Sequence, residues 1–295
     1  MKKTIFKGAA TALITPFTSS GKIDYKQFGR LVDWQIDSGI DALVVCGTTG
    51  EASTFTDEEH RDAIAFVVER ANGRVPVIAG TGSNDTGYAI ELTKYACSVG
   101  ADACLVVTPY YNKTTQNGLI KMFSSVADAS EKPLILYNVP SRTGMNIEPE
   151  TYLSLSRHGN IAAIKEANGN LSKIVQTVAL VGDALDLYSG NDDQIVPILA
   201  AGGKGVISVL SNVMPRETSL LCQRFFEGDV TGSMELQKRY LPLINALFSE
   251  VNPIPAKAAM AKLGFTENAL RAPLCPMEEA HAKKLYETMR DLGLI

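Results

Sequence analysis

One lysine stands inside an otherwise apolar run, Ile161-Ala-Ala-Ile-Lys165-Glu-Ala167, and the run reads as a buried parallel strand. An ammonium buried without a partner is costly, so the pKa of Lys165 is expected to fall toward neutrality. A neutral lysine is a nucleophile that can form a Schiff base with a carbonyl compound. The competing account is a lysine on an edge strand, or one whose stem carries its charge out to water.

Imine chemistry also needs a group that shuttles protons at the carbinolamine and a seat for the substrate's carboxylate. Tyr137 lies one apolar run before Lys165, and its phenol can donate and accept a proton. Thr48 and Thr49 offer hydroxyls and backbone N–H groups at a glycine-flanked turn, suited to a small carboxylate. Arg142 offers a planar fork for a second carboxylate. Taken singly, Tyr137 also reads as a core aromatic and Arg142 as a surface charge. Gly, Thr, Pro and Asn at such positions also simply make turns. Turn-making does not account for three tyrosines, an arginine and a lysine at the ends of successive runs.

The elements that must position these groups repeat one rhythm, a short apolar run followed by a longer amphipathic segment. The runs are Ala9–Thr15, Ala42–Cys46, Val75–Gly80, Ala103–Thr108, Leu134–Asn138, Ala162–Lys165, Leu185–Ser189 and Gly205–Val209. Segments such as Tyr25–Ser38, Asp57–Ala71, Thr86–Val99 and Leu119–Ser130 carry helical periodicity between them. Near-continuous apolar strands alternating with helices predict a covered parallel sheet, and eight units fit an α/β (β/α)8 TIM barrel. A doubly wound open sheet usually has fewer strands, and no GxGxxG follows the first run. Arg216–Gly228 reads as the last barrel helix; Met234–Val251, Pro255–Leu263 and Met277–Leu292 read as further helices. The expectation is a single domain over 1–295, with a barrel over 1–228 and a C-terminal helical extension over 229–295. In such a barrel the site forms at the carboxyl ends of the strands, where all the residues above fall.

Composition closes off other classes. The 295 residues carry a net charge of −4 without a basic cluster, so no footprint for nucleic acid is expected. No apolar run approaches the ~20 residues of a membrane helix, and Lys7 followed by Gly8-Ala-Ala breaks any signal-peptide core after Met1-Lys-Lys. Five scattered cysteines (Cys46, Cys97, Cys104, Cys222, Cys275) form no CxxC, which predicts reduced thiols and a cytoplasmic location. His60, His158 and His281 are isolated in sequence, so neither a metal nor any other cofactor is expected.

Gly47-Thr-Thr-Gly-Glu51, Thr108-Pro-Tyr-Tyr-Asn112, Tyr137-Asn-Val-Pro-Ser-Arg-Thr-Gly144 and Ile164-Lys-Glu-Ala167 resemble the motifs of a known family. It is the class I aldolases of the N-acetylneuraminate lyase and dihydrodipicolinate synthase superfamily. The resemblance runs in order over essentially the whole chain, including Gly205-Val-Ile-Ser-Val209. It implies Lys165 as the Schiff-base lysine and Tyr137 as the proton donor and acceptor, with Thr48 and Tyr111 completing a proton relay. In that family the equivalent of Tyr111 enters the site from a neighbouring subunit. Thr49, Gly190 and Ile207 match the pyruvate-binding positions.

Pyruvate or another 2-keto acid is thus the implied imine partner. Arg142 favours the synthase branch, in which the second substrate, L-aspartate 4-semialdehyde, brings its own carboxylate to give 4-hydroxy-tetrahydrodipicolinate on the diaminopimelate route to lysine. A 2-keto-3-deoxy sugar acid or N-acetylneuraminate aldolase is the alternative, and a catalytically silent pyruvate or sugar-acid sensor is a second. The resemblance further implies a homo-oligomer, a tetramer built as a dimer of tight dimers. Its lysine-inhibited members bind lysine at the tight-dimer interface. His60, Asn84 and Tyr110 fit that pattern, but Tyr88 stands where a glutamate is expected and Asp57 where a histidine is, so feedback inhibition is expected to be weak or absent.

Overall fold

Residues 4–295 are described by the structure, a computed structural model; Met1–Lys3, the start of the segment in which no signal-peptide core is expected, fall outside them. The eight apolar runs form strands β1 (Gly8–Ala12), β2 (Ala42–Val45), β3 (Val77–Gly80), β4 (Ala103–Val107), β5 (Leu134–Asn138), β6 (Ile161–Glu166), β7 (Asp186–Ser189) and β8 (Gly205–Ser208). Each pairs in parallel with the next, and β8 pairs with β1, closing the barrel. The expected (β/α)8 barrel is therefore observed.

Alternation along the strands sorts side chains into two cores. Ala10, Ala12, Ala42, Val44, Ile78, Ala103, Leu105, Ile135, Ala163 and Ile207 pack inside the barrel. Leu43, Val45, Val106, Leu136, Ile164, Leu187 and Val206 face outward and pack with the covering helices. Inside, Tyr188 stacks on Phe6 with ring centroids 4.2 Å apart and donates its hydroxyl to the Phe6 carbonyl at 2.7 Å. This plugs the barrel toward the amino ends of the strands. A register shift in the β5–β6 pair, where Leu134 faces Ile161 but Ile135 faces Ala163, inserts one extra residue into β6. That bulge resets the alternation, so Ala163 and Lys165 point inward while Ile164 and Glu166 point out.

After β8, helices Pro215–Phe226, Val230–Leu247, Ile254–Lys262 and Glu279–Asp291 follow. The first helix expected in the extension starts at Val230 rather than Met234. Thr231-Gly232-Ser233 has weak helix propensity, but Asp229 caps the helix by accepting from Gly232 N–H at 2.9 Å. Ser233 is buried and donates to the Leu221 carbonyl at 2.8 Å, which ties this first turn to the preceding helix. Among the described residues no helix is long and apolar enough to cross a membrane.

The extension is pinned to the loop after β2 by charge. Lys257 and Glu51 form an ion pair at 2.8 Å with both side chains fully enclosed. The Lys257 ammonium also sits 3.8 Å from the Phe17 ring centroid and donates to the Ala269 carbonyl at 2.7 Å. The Arg271 backbone N–H donates to Glu51, and its guanidinium grips Glu59 through two bonds of 2.7 and 2.6 Å.

Candidate active site

At the carboxyl ends of the strands, β5 and β6 place Tyr137 directly opposite Lys165. The Lys165 ammonium nitrogen lies 4.1 Å from the Tyr137 ring centroid, and both residues are buried. Burial lowers the Lys165 pKa from 10.5 to about 7; the buried Asp192 carboxylate opposes that fall and the Arg142 cation adds to it. Tyr137 moves the other way. Burial raises its phenol pKa, against the opposing influence of Arg142 and a hydrogen bond from Thr48. Near pH 7 about half of the amine is thus neutral and able to attack a carbonyl, and the phenol is held protonated, able to give a proton to a departing hydroxyl.

Thr48-Thr49-Gly50 form a short 3-10 turn after β2, ended by Glu51 in the left-handed region at φ +56°. This turn leaves Thr48 at the rim and buries Thr49. Pro140–Thr143 forms one helical turn after β5, closed by Gly144 at φ +66°, and carries Arg142 at the mouth. Gly190 ends β7 where a Cβ would come 2.8 Å from the Ala167 Cβ and 3.1 Å from the Glu166 carbonyl, so the wall admits no side chain there.

Thr48, Thr49, Tyr137, Arg142, Lys165 and Gly190 line one cavity of about 560 Å³. Two expected residues stand apart. Ile207 is buried in the inner core, and Val209 takes the cavity wall on that strand end. Tyr111 is 93% exposed at the tip of the loop after β4, with φ +66°, and lines neither this cavity nor the one that adjoins it.

A second cavity of about 520 Å³ shares Thr48, Tyr137, Val139 and Arg142 with the first, and continues past Asp57, His60, Tyr88 and Tyr110. Here Asp57 is already engaged: Arg61 donates to it at 2.8 Å, and the Tyr88 phenol donates to it as well. His60 is buried, which lowers its pKa, and its Nε2 lies 2.8 Å from the Gly80 carbonyl.

Sequence reasoning missed the segment Phe248–Asn252, which lines the Lys165 cavity from the extension. Asn252 Nδ2 donates to Thr49 Oγ1 at 3.0 Å, and the Asn252 carbonyl accepts from Arg142 Nη2 at 3.0 Å. The available signal, Asn252-Pro-Ile-Pro, reads as a turn between helices. His281, isolated in sequence, is not isolated in space. It meets Glu250 and Glu278 with ligand-type atoms within 4.8 Å, but Glu250 Oε1 already accepts from His281 at 2.8 Å and from the Glu278 N–H at 2.9 Å. A clip at the start of the last helix accounts for this trio.

Comparison with known proteins gives the same assignment throughout. The model of the dihydrodipicolinate synthetase family matches residues 5–292. The chain is 52% identical to the 4-hydroxy-tetrahydrodipicolinate synthase of Lachnoclostridium phytofermentans, over 99% of each protein. Its fold superposes on the dihydrodipicolinate synthase of Aquifex aeolicus with a TM-score of 0.96 at 46% identity, covering 98% of this chain and 99% of that one. The pyruvate complex of the chloride-inhibited dihydrodipicolinate synthase from Acinetobacter baumannii gives a TM-score of 0.97 at 41% identity, covering 99% and 100%.

Proposed function

The chain belongs to the dihydrodipicolinate synthetase family, and we propose that its chemistry runs through Lys165. Its activity is that of its close relatives, a class I aldolase that condenses pyruvate with L-aspartate 4-semialdehyde to 4-hydroxy-tetrahydrodipicolinate, in lysine and diaminopimelate biosynthesis. One observation carries the assignment of the nucleophile: a buried amine with a pKa of about 7 beside the Tyr137 ring, in a cavity that also holds Thr49 and Arg142.

In this reading the neutral Lys165 nitrogen attacks the pyruvate ketone carbon, and the ketone oxygen, protonated through Tyr137, departs as water. Thr49 holds the pyruvate carboxylate and Gly190 leaves room for it. Loss of a methyl proton gives an enamine, whose carbon attacks the aldehyde carbon of the second substrate, with Arg142 holding that substrate's carboxylate. The second substrate's amine then attacks the imine carbon, closing the ring and releasing Lys165. Thr48 and a partner's Tyr111 extend the proton path from Tyr137 to solvent.

Tyr111 lines neither of the two cavities beside Lys165 in its own chain. Its exposure, with Tyr110 at 37%, supports a tight dimer in which each subunit supplies this ring to the other. A separate apolar patch on helix Leu171–Val181, where Leu171 and Val175 one turn apart are 40 and 56% exposed, supports a second interface and hence a tetramer. Sedimentation at micromolar concentration that shows only a 31.7 kDa species would remove both the assembly and the shared relay. We read residues 1–295 as one working unit, and five free thiols fit a cytoplasmic setting.

Borohydride reduction in the presence of pyruvate tests the mechanism: a covalent adduct on Lys165, found by mass spectrometry and lost in Lys165→Ala, is expected. No adduct would mean that the barrel is a sensor or uses another route. Turnover of N-acetylneuraminate or a 2-keto-3-deoxy sugar acid in place of the semialdehyde would reassign the substrate.

A further inference from the structure

We propose that Asn252, from the C-terminal extension, is a positioning residue that aims the Thr49 hydroxyl at the pyruvate carboxylate; the proposal rests on Thr49 being the carboxylate seat. A threonine hydroxyl has one proton and two lone pairs. The Asn252 amide occupies one lone pair, donating through Nδ2 at 3.0 Å. Both side chains are buried, so water does not compete for the arrangement. Among the described residues, Thr49 Oγ1 donates to no acceptor, which leaves its proton free for an anion in the cavity that both residues line. The same asparagine holds the guanidinium of Arg142 through its backbone carbonyl, also at 3.0 Å. One residue thereby spaces the seats of the two carboxylates that the reaction brings together. The Asn252 Oδ1 atom is buried and has no hydrogen-bond partner. A buried acceptor left unpaired is disfavoured. Turning the amide over would satisfy that oxygen with the Thr49 proton and remove the hydroxyl from use. In the orientation observed, Nδ2 faces Thr49 Oγ1 and the hydroxyl proton stays available.

The test uses Asn252→Asp, which can only accept and therefore draws the Thr49 proton toward itself, and Asn252→Ala, which leaves the hydroxyl unguided. For Asn252→Asp the pyruvate KM and the pyruvate concentration at half-maximal borohydride trapping are expected to rise about ten- to a hundredfold, the loss of a hydrogen bond to a charged group. For Asn252→Ala a rise of a few-fold is expected, with kcat within a few-fold of wild type in both. In a Thr49→Val background neither substitution should raise the pyruvate KM further. A rise of the same size in that background would show that Asn252 acts by charge or by general structure, and would overturn the proposal. So would an unchanged KM in Asn252→Asp alongside a raised KM in Thr49→Val. If Thr49→Val itself leaves the pyruvate KM unchanged, the assignment of the carboxylate seat fails instead. Should Asn252→Asp not fold, the Asn252→Ala and Thr49→Val pair decides by the same comparison.

Discussion

Replacing Lys165 by methionine should abolish turnover and make the protein more stable, and the gain should depend on pH in a defined way. The fold holds the Lys165 pKa at about 7 against 10.5 for an unhindered lysine. At roughly 1.4 kcal/mol per pH unit, that gap corresponds to about 5 kcal/mol of strain on the protonated form. Below pH 7 both the folded and unfolded chains carry the proton, so the folded state bears the whole cost. Between pH 7 and 10.5 the unfolded chain binds the proton and the folded chain does not, so wild-type stability rises with pH. Above 10.5 both are neutral and the cost is gone. Methionine fills similar space without a charge. Lys165→Met is therefore expected to gain several kcal/mol at pH 6, a rise of roughly 10 °C in Tm at ~2 °C per kcal/mol. By pH 9 the advantage should have shrunk to about 2 kcal/mol, at ~1.4 kcal/mol per pH unit over the interval still below 10.5. Differential scanning calorimetry at matched subunit concentration, at pH 6, 7.5 and 9, measures it. A variant less stable than wild type at pH 6, or an advantage that does not shrink by pH 9, would refute the argument that burial perturbs Lys165. The same shift predicts that imine trapping by the wild type rises with pH about a midpoint near 7.

Tyr137→Phe keeps the ring beside Lys165 but removes the hydroxyl, so single-turnover imine trapping should slow by about 10²- to 10⁴-fold; a wild-type rate would exclude Tyr137 from the proton path. Lys257→Met strands the enclosed Glu51 carboxylate and should cost about 3–5 kcal/mol in denaturant unfolding; a loss below ~1 kcal/mol would show the pair to be incidental. L-Lysine should inhibit weakly, because Asp57 already pairs with Arg61 and accepts from Tyr88, leaving no free carboxylate for an ammonium in that cavity. Half-inhibition below about a millimolar, which needs only ~4 kcal/mol of binding, would contradict this.

How much could be read in advance depended on whether the signal was local. The eight strands are buried on both faces, so each shows as a continuous apolar run, and every run coincides with an observed strand within a few residues. Lys165 was visible because a charge inside such a run breaks the pattern. Its inward direction was not legible, because the extra residue in β6 flips the alternation between Ile161 and Ala163. The short helices Pro149–Leu155 and Ile195–Ala200 also escaped notice, being too brief to show a period.

The contribution of the extension could not be read at all, and the reason is distance along the chain. Asn252 meets Thr49 across 203 positions, and Arg271 meets Glu51 across 220. Neither contact leaves a pattern within any window of sequence. Yet the turn that carries Thr49 depends on them. It is three residues long, ends in a strained left-handed Glu51, and closes on itself only through bonds from Gly50 N–H to the Gly47 carbonyl and Glu51 N–H to the Thr48 carbonyl, both 3.1 Å. So short a turn has little rigidity of its own. The fully enclosed pair of Lys257 and Glu51 holds one side of it, and the Asn252 amide holds the hydroxyl it presents. The barrel therefore brings Lys165, and the turn that carries Thr49 is held both by the barrel, through Thr15 on the Gly50 carbonyl, and by the helices beyond it. The two should separate experimentally: loosening the extension at Asn252 should weaken pyruvate binding while leaving the Lys165 titration near pH 7.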